Sequence, residues 1–202
     1  MPLRQPARRF FRRAFFLLTL AAIPGAALAQ PKGDPARGAT RAAACAACHG
    51  PDGGRPLAGL PALSGQQHDF LEQQLILIRE GLREIPAMNG MLKNFSDRDL
   101  IDIAAYFSAA KPFFSGGARD NARYSTGAAL SQAMGCGSCH MKDYVGQRQI
   151  PRITNQREDY LIATLKAYRD DRRSGSDTSM NGVMYKAADA DIAALAHYLS
   201  HQ

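Results

Sequence analysis

All four cysteines of this 202-residue chain fall in one five-residue pattern, used twice. Cys45-Ala46-Ala47-Cys48-His49 returns as Cys136-Gly137-Ser138-Cys139-His140, 91 positions later. The surroundings return with it. Pro61-Ala62-Leu63-Ser64-Gly65-Gln66 is matched by Pro151-Arg152-Ile153-Thr154-Asn155-Gln156. Asp69-Phe70-Leu71 is matched by Asp159-Tyr160-Leu161, and Met88-Asn89-Gly90 by Met180-Asn181-Gly182, all at offsets of 90 to 92. A nearly constant offset marks a duplicated unit. It predicts two domains, 30–110 and 121–202. A linker over 111–120 joins them, where Pro112 and Gly116-Gly117 interrupt helix.

The pattern C-x-x-C-H has a specific chemistry. Two thiols three positions apart can each add to one vinyl group of a porphyrin, giving two thioether bonds to one haem. The adjoining histidine is then held against the iron. Cys45, Cys48 and His49 would serve one haem c, and Cys136, Cys139 and His140 a second. Other uses of paired cysteines fit less well. One zinc ion bound by all four would have to bring together pairs separated by 87 residues, and leaves both histidines unexplained. A thioredoxin-like redox pair expects a βαβ setting, and no strand pattern is present. A disulfide does not require the histidine that follows.

An iron held by one histidine has a sixth position to fill. Met88 and Met180 stand 39 and 40 residues beyond His49 and His140, in register with the repeat. A thioether in that position raises the reduction potential. Met91 and Met184 are nearby rivals, but their register partners are Val183 and Leu92, neither of which binds iron. His68, His197 and His201 have no histidine at the matching position and are read as surface or helix residues. Arg169, Arg172 and Arg173 are read as a solvated face, with a contact to a partner or to haem carboxylates as the alternative. Asp97, Asp99, Asp189 and Asp191 suit the starts of helices, where the dipole favours acids.

The units read as all-α. Leu100, Ile103, Ala104 and Phe107 fall on one helical face, as do Ile192, Leu195, Ala196 and Leu199. Ser96 is placed to cap the first of these helices. Phe70, Leu71, Leu75, Ile78 and Leu82 mark a mid-unit helix, echoed by Tyr160, Leu161, Leu165 and Tyr168. Residues 36–47 and 128–134 also suit helix. Units of this size are marginal on their own apolar burial, so a haem would complete each core.

The first 29 residues read differently. Five arginines precede an apolar run from Ala14 to Ala29 that ends Ala27-Leu28-Ala29. The run is too short to span a bilayer and fits a signal peptide cleaved after Ala29. Removing it takes five of the 25 basic residues and none of the 18 acidic ones, so the formal charge drops from +7 to about +2. The basic balance that would suggest nucleic acid disappears with it.

With these residues assembled, the sequence resembles the class I cytochromes c, and among them the di-haem cytochrome c4 family. The two C-x-x-C-H motifs, the two Pro-to-Gln segments and the two Met-Asn-Gly segments carry the resemblance. The closing helices add Tyr106-Phe107-Ser108 and Tyr198-Leu199-Ser200. It implies two tandem cytochrome c domains, each wrapped around a covalent haem c. It implies Met88 and Met180 as sixth ligands, and Pro61 and Pro151 as carbonyl acceptors for the histidines. The implied function is single-electron transfer in the periplasm. The expected donors and acceptors are respiratory-chain proteins: a quinol-oxidising complex, a terminal oxidase or a dehydrogenase. Soluble and loosely membrane-associated forms both fit. The alternative is the cytochrome subunit of a periplasmic dehydrogenase. A di-haem peroxidase or thiosulfate-oxidising enzyme would need an open iron position, against which the paired methionines argue.

Overall fold

Each half begins with an aspartate that caps a helix. In the computed structural model, which describes residues 33–114, 117–173 and 178–202, Asp34 accepts the Ala36 and Arg37 N–H groups at the start of α1 (Pro35–Arg41). Asp120 does the same with Ala122 and Arg123 at the start of α5 (Asn121–Ala133). The proposed signal segment and the middle of the linker lie outside the described residues.

The first half continues through a 3-10 turn (Ala42–Cys45), α2 (Ala46–His49), α3 (His68–Arg79), a second 3-10 turn (Pro86–Met88) and α4 (Asp97–Ala109). The second half repeats this order with α6 (Cys136–His140), α7 (Glu158–Arg169), α8 (Ser179–Met184) and α9 (Asp189–Ser200). Among the described residues there is no strand, only an isolated bridge between Gln147 and Ile150. No described helix is long and apolar enough to cross a membrane.

The first and last helices of each half pack together, α1 on α4 and α5 on α9. The approach is close enough to need glycine. A β-carbon on Gly38 would lie 1.9 Å from the Asp102 carbonyl oxygen, and one on Gly127 would lie 2.1 Å from that of Ala194. The mid-unit helices then cover the closing ones, α3 against α4 and α7 against α9. The apolar faces read from the sequence are the ones buried. Leu100, Ile103, Ala104 and Phe107 pack inside the first half, and Ile192, Leu195, Ala196 and Leu199 inside the second. Repeat-equivalent ion pairs brace the outside of these contacts, Arg79 to Asp97 at 2.7 Å and Arg169 to Asp189 at 2.5 Å.

Two expectations change. Leu82 does not extend α3. The helix ends at Arg79, Gly81 takes φ +69°, and Leu82 is exposed beyond it. The stretch before the first cysteine pair is not one helix but α1, a 3-10 turn and α2 in succession. That tightening leaves Cys45 at the end of the 3-10 turn and His49 at the end of α2.

Candidate haem sites

His49 and His140 each end a helix of about one turn, α2 and α6. Both rings are buried. His49 Nδ1–H donates to the Pro61 carbonyl at 3.0 Å, and His140 Nδ1–H to the Pro151 carbonyl at 2.8 Å. A carbonyl can only accept, so the proton sits on Nδ1 and the lone pair is left on Nε2. Burial pushes both imidazoles below the usual histidine pKa, and the carbonyl bonds offset this in part. A neutral ring with a fixed tautomer and a free Nε2 is the metal-ligating form of histidine.

No disulfide joins the four cysteines. Cys45 and Cys136 are half-buried, Cys48 and Cys139 exposed. Each pair thus offers one inner and one outer sulfur beside a histidine whose Nε2 is open.

The methionines separate by register. Met88, at the end of its 3-10 turn, and Met180, in α8, are both half-buried. Met91 and its partner Val183 face outward, 46% and 40% exposed. Leu92 and its partner Met184 are core residues, 4% and 2% exposed. Met184 packs with Leu165, Ile192 and Leu195, while Met180 lies at the edge of that cluster. A core thioether is already surrounded by carbon and an outward one faces solvent, so neither rival is disposed like the Met88/Met180 pair.

A second feature suits a group bearing carboxylates. Arg83 and Arg173, equivalent in the repeat, come close to each other together with Tyr160 and Tyr168. Arg83 donates to Gln74 Oε1 at 2.6 Å, and the Arg173 guanidinium lies over the Tyr168 ring at 4.9 Å. Arg173 Nε is buried with no hydrogen-bond partner. Burial raises the Tyr160 hydroxyl pKa, but Arg173 and Arg83 more than reverse this and bring it to about 8. Two cations packed around a tyrosine and an orphaned N–H fit an anionic partner such as a haem carboxylate. The expected solvated face therefore divides. Arg169 pairs with Asp170 and Asp189, Arg172 pairs with Asp170, and Arg173 turns inward. The 90-residue spacing of Arg83 and Arg173 was the sequence signal for this.

Of the other histidines, His197 is committed on both ring nitrogens. His197 donates Nδ1–H to Glu158 at 2.9 Å and accepts the Asp120 N–H on Nε2 at 3.0 Å. Glu158, His197 and His201 form a cluster with metal-ligand chemistry, but both His197 nitrogens are spent on tying the start of α5 to α7 and α9. His68 lies against Asp69 and Glu72.

Known proteins share the sequence and fold of this chain. The cytochrome c family model matches residues 124–202, and the model for subunit III of cbb3-type cytochrome c oxidase matches 34–107. Cytochrome c4 of Pseudomonas aeruginosa is 36% identical, over 85% of this chain and 90% of its own length. The chain belongs to the cytochrome c4 family. Cytochrome c4 of Pseudomonas stutzeri, in its reduced recombinant crystal structure, superposes with a TM-score of 0.77 at 34% identity, over 84% of this chain and 98% of that one. The thiosulfate dehydrogenase electron acceptor of Thiomonas intermedia is 33% identical, over 95% of this chain and 91% of its own. As a cytochrome c4 relative with two attachment motifs, the protein carries two covalent haem c groups and is an electron-transfer cytochrome.

Proposed function

We propose that the protein accepts and donates single electrons in the periplasm, with Cys45, Cys48, His49 and Met88 holding one haem and Cys136, Cys139, His140 and Met180 the other. Each bound iron supplies a one-electron ferric–ferrous couple, and the chain supplies everything else. The thioethers at the cysteines fix the group in place. Pro61 and Pro151 orient the histidine rings and raise their basicity. Arg83 and Arg173 neutralise haem carboxylates. With a histidine and a methionine of the chain holding each iron, no position would remain for a substrate, and the protein would act as a carrier between respiratory partners such as a quinol-oxidising complex and a terminal oxidase. The observation that carries the reading is the duplicated histidine–carbonyl pair with a half-buried methionine at matching register. A second reading, the electron-accepting subunit of a periplasmic dehydrogenase, draws on the similarity to the thiosulfate dehydrogenase electron acceptor. It uses the same two sites.

The methionines test it. Met88→Ala and Met180→Ala should each remove half of the red charge-transfer band of methionine-ligated ferric haem and lower one reduction potential. Met91→Ala should leave band and stability alone. Met184→Ala should keep the band but cost about 2–4 kcal/mol in unfolding experiments, as loss of a buried methionine. Retention of the full band in Met88→Ala would overturn the first assignment.

A further inference from the structure

The two halves exchange glutamines. Gln156, in the second half, accepts the Ala62 N–H at 2.8 Å and donates to the Ala62 carbonyl at 2.9 Å. Gln66, in the first half, accepts the Arg152 N–H at 2.7 Å and donates to the Arg152 carbonyl at 2.9 Å. Both glutamines are buried. Ala62 and Arg152 are the residues directly after the prolines whose carbonyls bind the histidines. The N–H that Gln156 receives therefore belongs to the same peptide group as the carbonyl that His49 donates to. The N–H that Gln66 receives shares its peptide group with the acceptor for His140.

We infer that each glutamine is a positioning residue that sets the basicity of the histidine in the opposite half. The inference rests on the proposed reading of His49 and His140 as iron ligands. An amide that donates through its N–H carries more negative charge on its oxygen, an enhancement of about 10–30% per bond in a chain. The Pro61 carbonyl, polarised by Gln156, pulls harder on the His49 Nδ1 proton. Nε2 becomes a stronger donor, which favours the ferric state and lowers the potential. Gln66 acts on His140 through Pro151 in the same way. The second Gln–backbone bond, from Nε2 to the carbonyl of Ala62 or Arg152, holds the amide in line. Burial of both glutamines keeps water from substituting for them. A glutamine that merely joined the halves would need neither this peptide group nor this reciprocity.

The test is a crossed one, on the full di-haem protein. Hyperfine-shifted histidine ring protons in the wild-type NMR spectrum first report ligation by His49 and His140. Their absence would sink the ligand assignment itself. Gln156→Leu is then expected to raise the potential of the first-half haem and leave the second nearly unchanged, with Gln66→Leu giving the converse. Haem methyl resonances followed through a redox titration resolve the two. Gln156→Glu, which keeps the acceptor oxygen and strengthens it, is expected to lower the first-half potential, and serves if the leucine variant fails to assemble. Ala62 amide exchange should quicken in Gln156→Leu. Shifts confined to the half that carries the substitution, equal shifts in both halves, or unmoved potentials with both haems present would overturn the role.

Discussion

On Gly127 a β-carbon would stand 2.1 Å from the Ala194 carbonyl oxygen and 2.6 Å from Tyr198 Cβ, separations that non-bonded atoms do not reach. Alanine is a better helix former than glycine by about 1 kcal/mol, so at an exposed helical site Gly127→Ala would stabilise the protein. Here the backbones of α5 and α9 must part to admit the methyl group. The expected net result is a loss of about 2 kcal/mol or more in denaturant unfolding. A neutral or stabilising outcome would mean that the helices separate freely. Neither this glycine nor Gly38 stood out in the sequence, because close approach is a property of two segments and a pattern search reads one at a time. The residues proposed to bind iron stood out for the opposite reason. Each motif is local, and the repeat supplied a second copy of every distance.

Two helices with the same task are capped unequally. In α4 the Ser96 hydroxyl accepts the Asp99 N–H while the Asp99 carboxylate accepts the Ser96 N–H, satisfying two end donors at once. In α9 the equivalent of Ser96 is Ala188, so only the return bond remains, from Ala188 N–H to Asp191 at 3.3 Å. Ala188 nevertheless has the extended backbone of a cap, with φ −70° and ψ 154° beside −71° and 164° for Ser96. Ser96→Ala should cost about 1 kcal/mol, and Ala188→Ser should gain about 0.5–1 kcal/mol by completing the second box. Thermal unfolding of the two variants measures both, and a silent Ala188→Ser would show that this end is limited by something other than its cap. The closing helices and their buried faces were readable from period alone. What period could not show was where the helices stop, since Leu82 keeps the spacing of α3 after the backbone has left it.

Across the whole molecule, the seam between the halves is polar and specific. Besides the glutamines, Gln67 donates to the Val145 carbonyl at 2.8 Å, and Asp159 accepts the Gly59 N–H at 2.8 Å. The Arg157 side chain, with the Gly59 and Tyr160 N–H groups adding to it, holds the Asp159 carboxyl at about 2, well below its ordinary value. A carboxyl held low stabilises the folded state only when ionised. Its contribution is complete above about pH 4 and fades as pH falls toward 2. Asp159→Asn should therefore show a shallower loss of stability between pH 5 and pH 2 than wild type, with the two curves converging at the acid end. Parallel curves would place the acid sensitivity elsewhere. The sequence displayed the duplication but not that its copies address each other. Gln66 and Gln156 were visible as repeated letters, and only packing revealed that each serves the other's peptide.

The pairing of first with last helix also imposes an order in time. A chain emerging from its amino end delivers α1, then the first attachment motif, and the partner helix α4 only some sixty residues after α1 begins; α5, the second motif and α9 follow in the same sequence. Such long-range closure is slow relative to local helix formation. Each pair of thiols and its histidine consequently pass through a period in which they are already made and not yet enclosed. The architecture thus provides an assembly window for each half, opened by synthesis and shut by the arrival of the last helix.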